Sequence, residues 1–142
     1  MLHHVSIIAS KSARDIVAAC IEEAEKLGLL IAVCVADPAG VALASARMDG
    51  VAPPTLTFAE DKAYTSATMK RSTEAFAERM ASSPSLTLGL STRNRLLVWG
   101  GGLPIFHEGK IVGGIGVSGA KDYEDIAIGR SALKRYGFTW EA

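Results

Sequence analysis

Apolar residues recur at helical spacing near the start of the chain and form short unbroken runs farther on. Between positions 11 and 27 they fall on one face of a helix, and several glutamates fall on the opposite face. Gly28 is a natural residue to end this helix, and Ser12 is a candidate to cap its start. The pattern therefore predicts a helix over 11–27, preceded by a weakly alternating edge strand over 1–9.

Two β-hairpins are predicted from pairs of apolar runs separated by turn residues. The first pair flanks Asp37–Gly40, in which aspartate, proline and glycine favour a tight turn. The second pair flanks His107–Lys110, a polar break that contains a glycine. One more short apolar run precedes the second hairpin. The predicted strands are Leu30–Ala36, which is apolar enough to be buried on both faces, Val41–Arg47, Leu96–Trp99, Leu103–Phe106 and Ile111–Val117.

Helices are predicted between and after the hairpins. Thr57–Glu60 has the spacing of a capping box, which predicts a helix over 58–70. Alanines at 59, 63 and 67 give this helix a face of small residues that can approach a neighbour closely. A short helix is predicted over 73–81 after Ser72, and the polar stretch 82–95 is predicted to be a long loop.

The last helix is predicted to begin at Asp122 and to end at Gly137. We expect its inner side to carry Ile126, Ala127, Ala132, Leu133 and Tyr136, and the short tail that follows to dock on the body or on a neighbouring subunit. Hairpins separated by helices are typical of the α+β class. The expected architecture is an α-β-α sandwich of one domain, residues 1–142, with a mostly antiparallel sheet of five or six strands.

Composition excludes several classes of function. Hydrophobic residues make up 49% of the 142 residues, charged residues 21%, and the formal net charge is zero, which is typical of a globular protein. No basic run indicates nucleic-acid binding, and no apolar run approaches the roughly 20 residues of a membrane span. The N-terminus lacks the pattern of a signal peptide, so we expect the cytoplasm. Cys20 and Cys34 lie in apolar patterns and are interpreted as buried hydrophobic residues.

Basic and acidic residues at a strand end and on the alanine-rich helix are the first candidates for chemistry. The guanidinium of Arg47 suits a carboxylate ligand, although it also suits a local pair with Asp49. Lys62 lies one position from the alanine face, so it either borders a cleft or is solvated. Thr65 follows on the same helix. We interpret Arg47, Lys62 and Thr65 as ligand-binding residues, and Lys62 or Asp49 as candidates for proton transfer.

Glycines surround the second hairpin and allow two interpretations. The backbone of Gly101 and Gly102 either contributes N–H groups to an anion site or makes a tight bend. Ser118 stands just before the last helix, where N–H groups favour negative charge. The glycines at 113, 114 and 116 indicate close approach of a packed helix or of a ligand, and packing is the commoner reason.

Histidines and paired glutamates offer no convincing metal site. His107 lies at a hairpin turn and is expected to be exposed, while His3 and His4 lie on the N-terminal segment. The spacing of Glu22 and Glu25 can clamp a metal ion, but on a polar helix face these carboxylates are more often solvated. We therefore predict no metal ligands.

Five segments, taken in order, resemble the GlcG/HbpS family, which is related to the C-terminal domain of PduO-type proteins. The resemblance covers the chain from about Ser12 to Tyr136. No single motif is specific to the family, but the five segments in this order are. The matching segments are Arg47–Gly50, Lys62–Thr65, Gly101–Ile105, Gly109–Gly119 and Asp125–Ala127.

The resemblance implies a profilin-like α-β-α sandwich that forms a homo-oligomer, from a dimer to an octamer built of dimers. It also implies that haem is a possible cofactor, since characterised relatives bind haem and some degrade it or hold iron. It identifies no haem-ligating residue in this chain.

Three functions follow from these observations. The first is a small-ligand-binding protein for haem, a related tetrapyrrole or a small carboxylate, with Arg47 and Lys62 pairing with the ligand's carboxylates. The second is a catabolic enzyme that acts on a small organic acid through the same two residues. The third is an accessory structural subunit, so the sequence leaves open whether the protein is an enzyme.

Overall fold

Five helices and four strands make up the fold in the computed structural model, which describes residues 1–142. The helices are α1 (Ser10–Leu27), α2 (Pro54–Met69), α3 (Thr73–Met80), α4 (Pro84–Leu90) and α5 (Asp122–Arg135). The strands are β1 (Ala32–Ala36), β2 (Ala42–Arg47), β3 (Gly102–His107) and β4 (Lys110–Ser118). The α+β class and both hairpins are confirmed.

The sheet has four strands in the order β2-β1-β4-β3, and every neighbouring pair is antiparallel. The prediction of five or six strands is therefore wrong, because two of the predicted strands do not form. The N–H of Leu97 donates to Thr65 Oγ1 at 3.0 Å, so residues 96–99 attach to α2. Residues 1–9 form no strand, and of these Ile8 donates a backbone hydrogen bond to Val112 at 2.9 Å.

The sheet lies between two helical layers, as the sandwich prediction requires. α1 and α5 pack on one face, where large aliphatic side chains interdigitate in the main core. α2 packs on the other face against Ala32, Cys34 and Ala36, which alternate with the core residues of β1. β1 is buried on both faces along its whole length, as predicted. The core on the α1 and α5 side includes Ile16, Val33, Val35, Leu103, Ile105, Ile115, Val117, Ile128 and Leu133.

Three predicted caps do not form. Ala9 occupies the position before α1 without a side-chain cap, so Ser12 lies inside the helix. α2 begins at Pro54, one turn before the predicted start, because proline fits the first turn of a helix, where its missing N–H costs nothing. Lys121, rather than Asp122, precedes α5, and its N–H donates to Glu124 Oε1 at 3.1 Å. The cap at Ser72 is confirmed, since its hydroxyl accepts from the N–H of Ala75.

α4 lies within the segment predicted to be a loop, so that prediction is wrong for 84–90. Its start follows ordinary capping rules, because Ser83 accepts from the N–H of Leu86 and Pro84 occupies the first turn. None of its residues is buried, and Leu88 is 74% exposed. A helix without a buried face produces no helical hydrophobic period, and this is why the pattern missed it.

The inner face of α5 differs from the prediction. Ala132 and Leu133 are buried as expected, but Ile126 is half-buried and Ala127 and Tyr136 are exposed. The buried stripe of the helix is made by Asp125, Ile128, Gly129, Ala132 and Leu133. The tail docks on the body as predicted, because Thr139 and Phe106 exchange two backbone hydrogen bonds of 2.8 and 3.1 Å.

The outer edge of β3 has no free backbone N–H group between Gly102 and Phe106. The N–H of Gly102 donates to Thr73 Oγ1 at 2.9 Å, Pro104 has no N–H to offer, and Phe106 pairs with Thr139 in the tail. No helix of the protein has both the length and the apolar character needed to cross a membrane.

Candidate functional site

A buried ion pair joins α2 to α5 at the end of the sheet. Lys62 is only 2% exposed, and its Nζ donates to the carbonyl oxygen of Val117 at 2.8 Å and to Asp125 Oδ2 at 3.5 Å. The other carboxylate oxygen of Asp125 accepts from the N–H of Ala120 at 3.1 Å. Both charged groups are therefore held by the protein itself rather than by solvent.

Burial shifts both members of this pair toward their neutral forms. Desolvation lowers the pKa of Lys62, and the nearby carboxylate of Asp125 opposes part of that shift. Desolvation likewise raises the pKa of Asp125 to about 6, against the opposing effects of Lys62 and of the Ala120 N–H. The pair is thus a buried polar contact whose carboxyl group, on Asp125, changes protonation in mildly acidic solution.

The glycines of the second hairpin make room for α2 and for this pair. A Cβ at Gly116 would overlap the carbonyl oxygen of Ala59 and come within 2.6 Å of the Ala63 nitrogen. A Cβ at Gly101 would lie 2.8 Å from Lys62 Nζ, and one at Gly102 would lie 2.7 Å from the Lys62 carbonyl oxygen. Close packing of α2 therefore accounts for Gly116 and Gly102, whereas Gly101 has a positive φ of 125° and lies against the carbonyl oxygen of Val117 as well as Lys62.

Five of the predicted ligand-binding residues lie together in the layer between α2 and the sheet. Thr65 Oγ1 donates to the carbonyl oxygen of Arg95 at 3.0 Å, and this bond ties the loop before β3 to α2. Ser118 is buried at the end of β4. Every member of the group is buried: Lys62, Thr65, Gly101, Gly102 and Ser118.

Arg47 and Asp49 lie apart from this group. Both are exposed, and Arg47 Nη1 donates to the carbonyl oxygen of Val51 at 3.3 Å, which closes the turn after β2. Arg47 is opposite Ala32, which is in turn opposite Ser118, so two strand spacings separate Arg47 from Ser118 across the sheet. Arg47 and Lys62 share no hydrogen bond or ion pair, and neither side chain lines the two cavities described below.

A cavity of about 690 Å³ lies between the N-terminal segment, the β1–β2 turn and the start of β4. It combines two imidazoles with two ammonium groups, because His3, His4, Lys70 and Lys110 all line it. Sequence reasoning missed this site, although adjacent histidines in an otherwise apolar segment were a usable signal. The remaining lining residues are Val5, Ser6, Ile7, Asp37, Pro38, Ala39 and Ile111.

The other titratable candidates have structural surroundings. His107 is exposed at the hairpin turn, as predicted. Glu22 pairs with Arg135 at 3.1 Å and faces Lys26 at 3.8 Å, so its carboxylate is engaged by cations. Cys20 and Cys34 are free and buried, and desolvation raises the pKa of each thiol to about 12. No group of three or more His, Cys, Asp or Glu side chains converges as a metal site would require.

The architecture defines an α+β sandwich protein whose sheet is packed tightly on one face by a small-residue helix. Residues 8–134 match the family model described as haem degrading protein HbpS-like, so the chain belongs to the HbpS-like family. The resemblance to the GlcG/HbpS family is thereby confirmed.

Individual relatives agree with this assignment. The chain is 34% identical over 112 residues to protein GlcG of Escherichia coli K12, covering 79% of this chain and 81% of GlcG. The crystal structure of a double mutant of HbpS from Streptomyces reticuli is 31% identical, with a TM-score of 0.86 over 96% of this chain and 91% of HbpS. A PduOC–haem complex shares the fold, with a TM-score of 0.87 at 21% identity over 96% of this chain and 99% of PduOC.

Proposed function

We propose that this protein binds haem or a related tetrapyrrole in the cavity beside its N-terminal segment. Its family is named for haem degradation, and the PduOC structure was solved with haem. The observation that carries the proposal is the lining of the 690 Å³ cavity, where His3 and His4 accompany two lysines. In a haem-binding site the imidazoles would serve the iron, and the ammonium groups would serve the propionates.

The side chains of this cavity fit the chemistry of haem. An imidazole from His3 or His4 would supply a protein ligand to the haem iron. Lys70 and Lys110 provide ammonium groups for the two propionate carboxylates. Val5, Ile7 and Ile111 supply apolar surface for the ring. When bound, haem supplies a redox-active iron, and the chain's part is to hold and orient it.

A hemin titration followed at the Soret band tests this assignment. We expect a saturable shift for the full chain and at least about a tenfold loss of affinity when both His3 and His4 are changed to alanine, since both imidazoles that would ligate the iron are then removed. His107→Ala is the matched control, because that imidazole is exposed and outside the cavity. A titration that never saturates, or an equal loss in the control, contradicts the proposal.

The other functions considered above have less support from the geometry. A catabolic reaction through Arg47 and Lys62 would require Lys62 to reach a substrate, whereas its ammonium group is buried against Val117 and Asp125. Binding of a small carboxylate by these residues, an accessory structural role and assembly into a homo-oligomer stay predictions. Unchanged turnover of candidate organic acids in Lys62→Ala would remove the catabolic alternative.

A further inference from the structure

We propose that the outer face of α5 forms a second ligand site, which takes a planar aromatic carboxylate. The site is a groove of about 580 Å³ between α5, α3 and the C-terminal tail. It is lined by none of the residues of the N-terminal cavity, so it does not depend on the function proposed above. The proposal stands on three features: an apolar floor that includes Tyr123, the facing ring of Trp140, and two cations that take part in no ion pair.

The floor of the groove is formed by a stripe of residues on the exposed face of α5. Positions 123, 126, 127, 130 and 134 follow helical spacing and lie on the side away from the buried stripe. Tyr123, Ile126 and Ala127 make one end of this stripe apolar, and Tyr123 is 67% exposed. Apolar residues on the solvent side of a helix provide a surface that a flat ring can cover.

Trp140 forms the facing wall, and its position is fixed by the tail. The paired backbone bonds between Thr139 and Phe106 hold the chain immediately before it. The Phe138 ring packs edge-on against His107, with the ring centroids 5.9 Å apart. Trp140 also packs against the main core while lining the groove. A ring that is already positioned binds a ligand at a lower entropic cost than a mobile one.

The charges of the groove select an anion. Arg130 and Lys134 are absent from every ion pair of the protein, and the Arg130 guanidinium lies 5.5 Å from the Trp140 ring centroid. Glu74 is the one carboxylate in the lining, and it opposes the two cations. A ligand with one carboxylate gains the Arg130 and Lys134 contacts, and an aromatic ring gains Trp140 and Tyr123.

A titration with 2-naphthoate, followed by NMR at the indole N–H signals, tests the site. The chain has two tryptophans, and Trp99→Phe assigns the remaining signal to Trp140. We expect a saturable shift of the Trp140 signal and no shift of Trp99, which packs edge-on against Phe58 outside the groove. The absence of a saturable shift, or an equal shift at both indoles, overturns the proposal.

Charge variants separate this site from nonspecific association. We expect Arg130→Gln to weaken 2-naphthoate binding about tenfold and Glu74→Gln to strengthen it, because these changes remove an attraction and a repulsion. Arg79→Gln is the matched control, since Arg79 is an exposed arginine of α3 outside the groove. An equal effect of the control overturns the assignment.

Two further probes test the ligand class. The neutral 2-naphthamide removes the carboxylate charge, and decahydro-2-naphthoate removes the flat ring. We expect each to bind at least about fivefold more weakly than 2-naphthoate, because each loses one of the two recognised features. Equal binding of the amide would rule out anion recognition, and equal binding of the saturated acid would rule out aromatic recognition.

Discussion

The two faces of the sheet are packed by different means. Toward α1 and α5, valine, leucine and isoleucine side chains fill the space between the layers. Toward α2, the facing residues are alanine, cysteine and glycine, and the helix backbone itself approaches the strands. Consecutive residues of β4 show the contrast, because Ile115 belongs to the aliphatic core while Gly116 faces the backbone of α2.

This difference determines what each face tolerates. A core of interdigitating side chains can lose a methyl group and relax partly, whereas a backbone held against a backbone has no side chain to rearrange. Four of the six buried polar residues, Lys62, Thr65, Ser66 and Thr73, lie in the α2 layer or beside it. The other two are Ser118 at the end of β4 and Asp125, which reaches Lys62 from α5. The α2 face therefore depends on close approach and on hydrogen bonds, and the opposite face depends on aliphatic volume.

The largest expected effect comes from adding one methyl group to the tight face. Gly116→Ala places a Cβ against the carbonyl oxygen of Ala59, so α2 must move, and we expect a loss of about 4 kcal/mol or more in the free energy of unfolding. Removing a methyl group next door, in Ile115→Val, should cost only about 1 kcal/mol. Urea denaturation measures both.

Gly89→Ala serves as the control for this comparison. Gly89 lies in α4 with nothing within 4 Å of an added Cβ, so helix propensity alone should leave stability unchanged or slightly higher. If Gly116→Ala matched this control, the two faces would not differ as described.

The second effect concerns the ion pair in the tight layer. Lys62→Met leaves the carboxylate of Asp125 buried without its cation, and we expect a loss of about 3–5 kcal/mol. Changing Asp125 to asparagine in the same chain removes the orphaned charge and keeps an acceptor for the Ala120 N–H. The double variant should therefore recover most of the loss in urea denaturation, and equal instability of the single and double variants would contradict this account.

The smallest effect is a pH dependence from the same pair. The folded-state pKa of Asp125, about 6, lies above its ordinary value of 3.8, so the folded protein binds this proton more readily than the unfolded chain does. The contribution of the Asp125 carboxyl group to the free energy of unfolding is fully present below the unfolded-state pKa and is lost as the pH rises through 6. The stability of the parent relative to Asp125→Asn should therefore grow as pH falls from 6 to 4, by at most about 1.4 kcal/mol per pH unit. A difference that stays constant over this range would contradict the shift.

Most of the fold could be predicted because its elements carry strong local patterns. α1 shows a complete helical stripe, and the turns at Asp37–Gly40 and Glu108–Gly109 fix both hairpins. Two segments were predicted wrongly, for opposite reasons: α4 was predicted to be a loop, and residues 96–99 were predicted to be a strand. α4 has no buried face, so it produces no hydrophobic pattern. Residues 96–99 do form an apolar run, but the N–H of Leu97 donates to Thr65 of α2 instead of to a neighbouring strand.

The candidate site was harder to predict because it depends on contacts between distant segments. The spacing of Lys62 beside the alanine face left open whether it borders a cleft or is solvated, and it gave no sign that Asp125, 63 positions later, would face it. Nor could local pattern show that His3 and His4 meet the turn after β1. Trp140 lies in a short tail whose docking was expected but whose position depends on the Thr139 pairing.

The closed outer edge of β3 limits how copies of this protein can join by main-chain pairing. Thr73, Pro104 and Thr139 leave no free donor on that side for an incoming strand. A sheet that can be extended only from β2 cannot propagate, so edge-to-edge addition would stop at two copies instead of growing into a fibre.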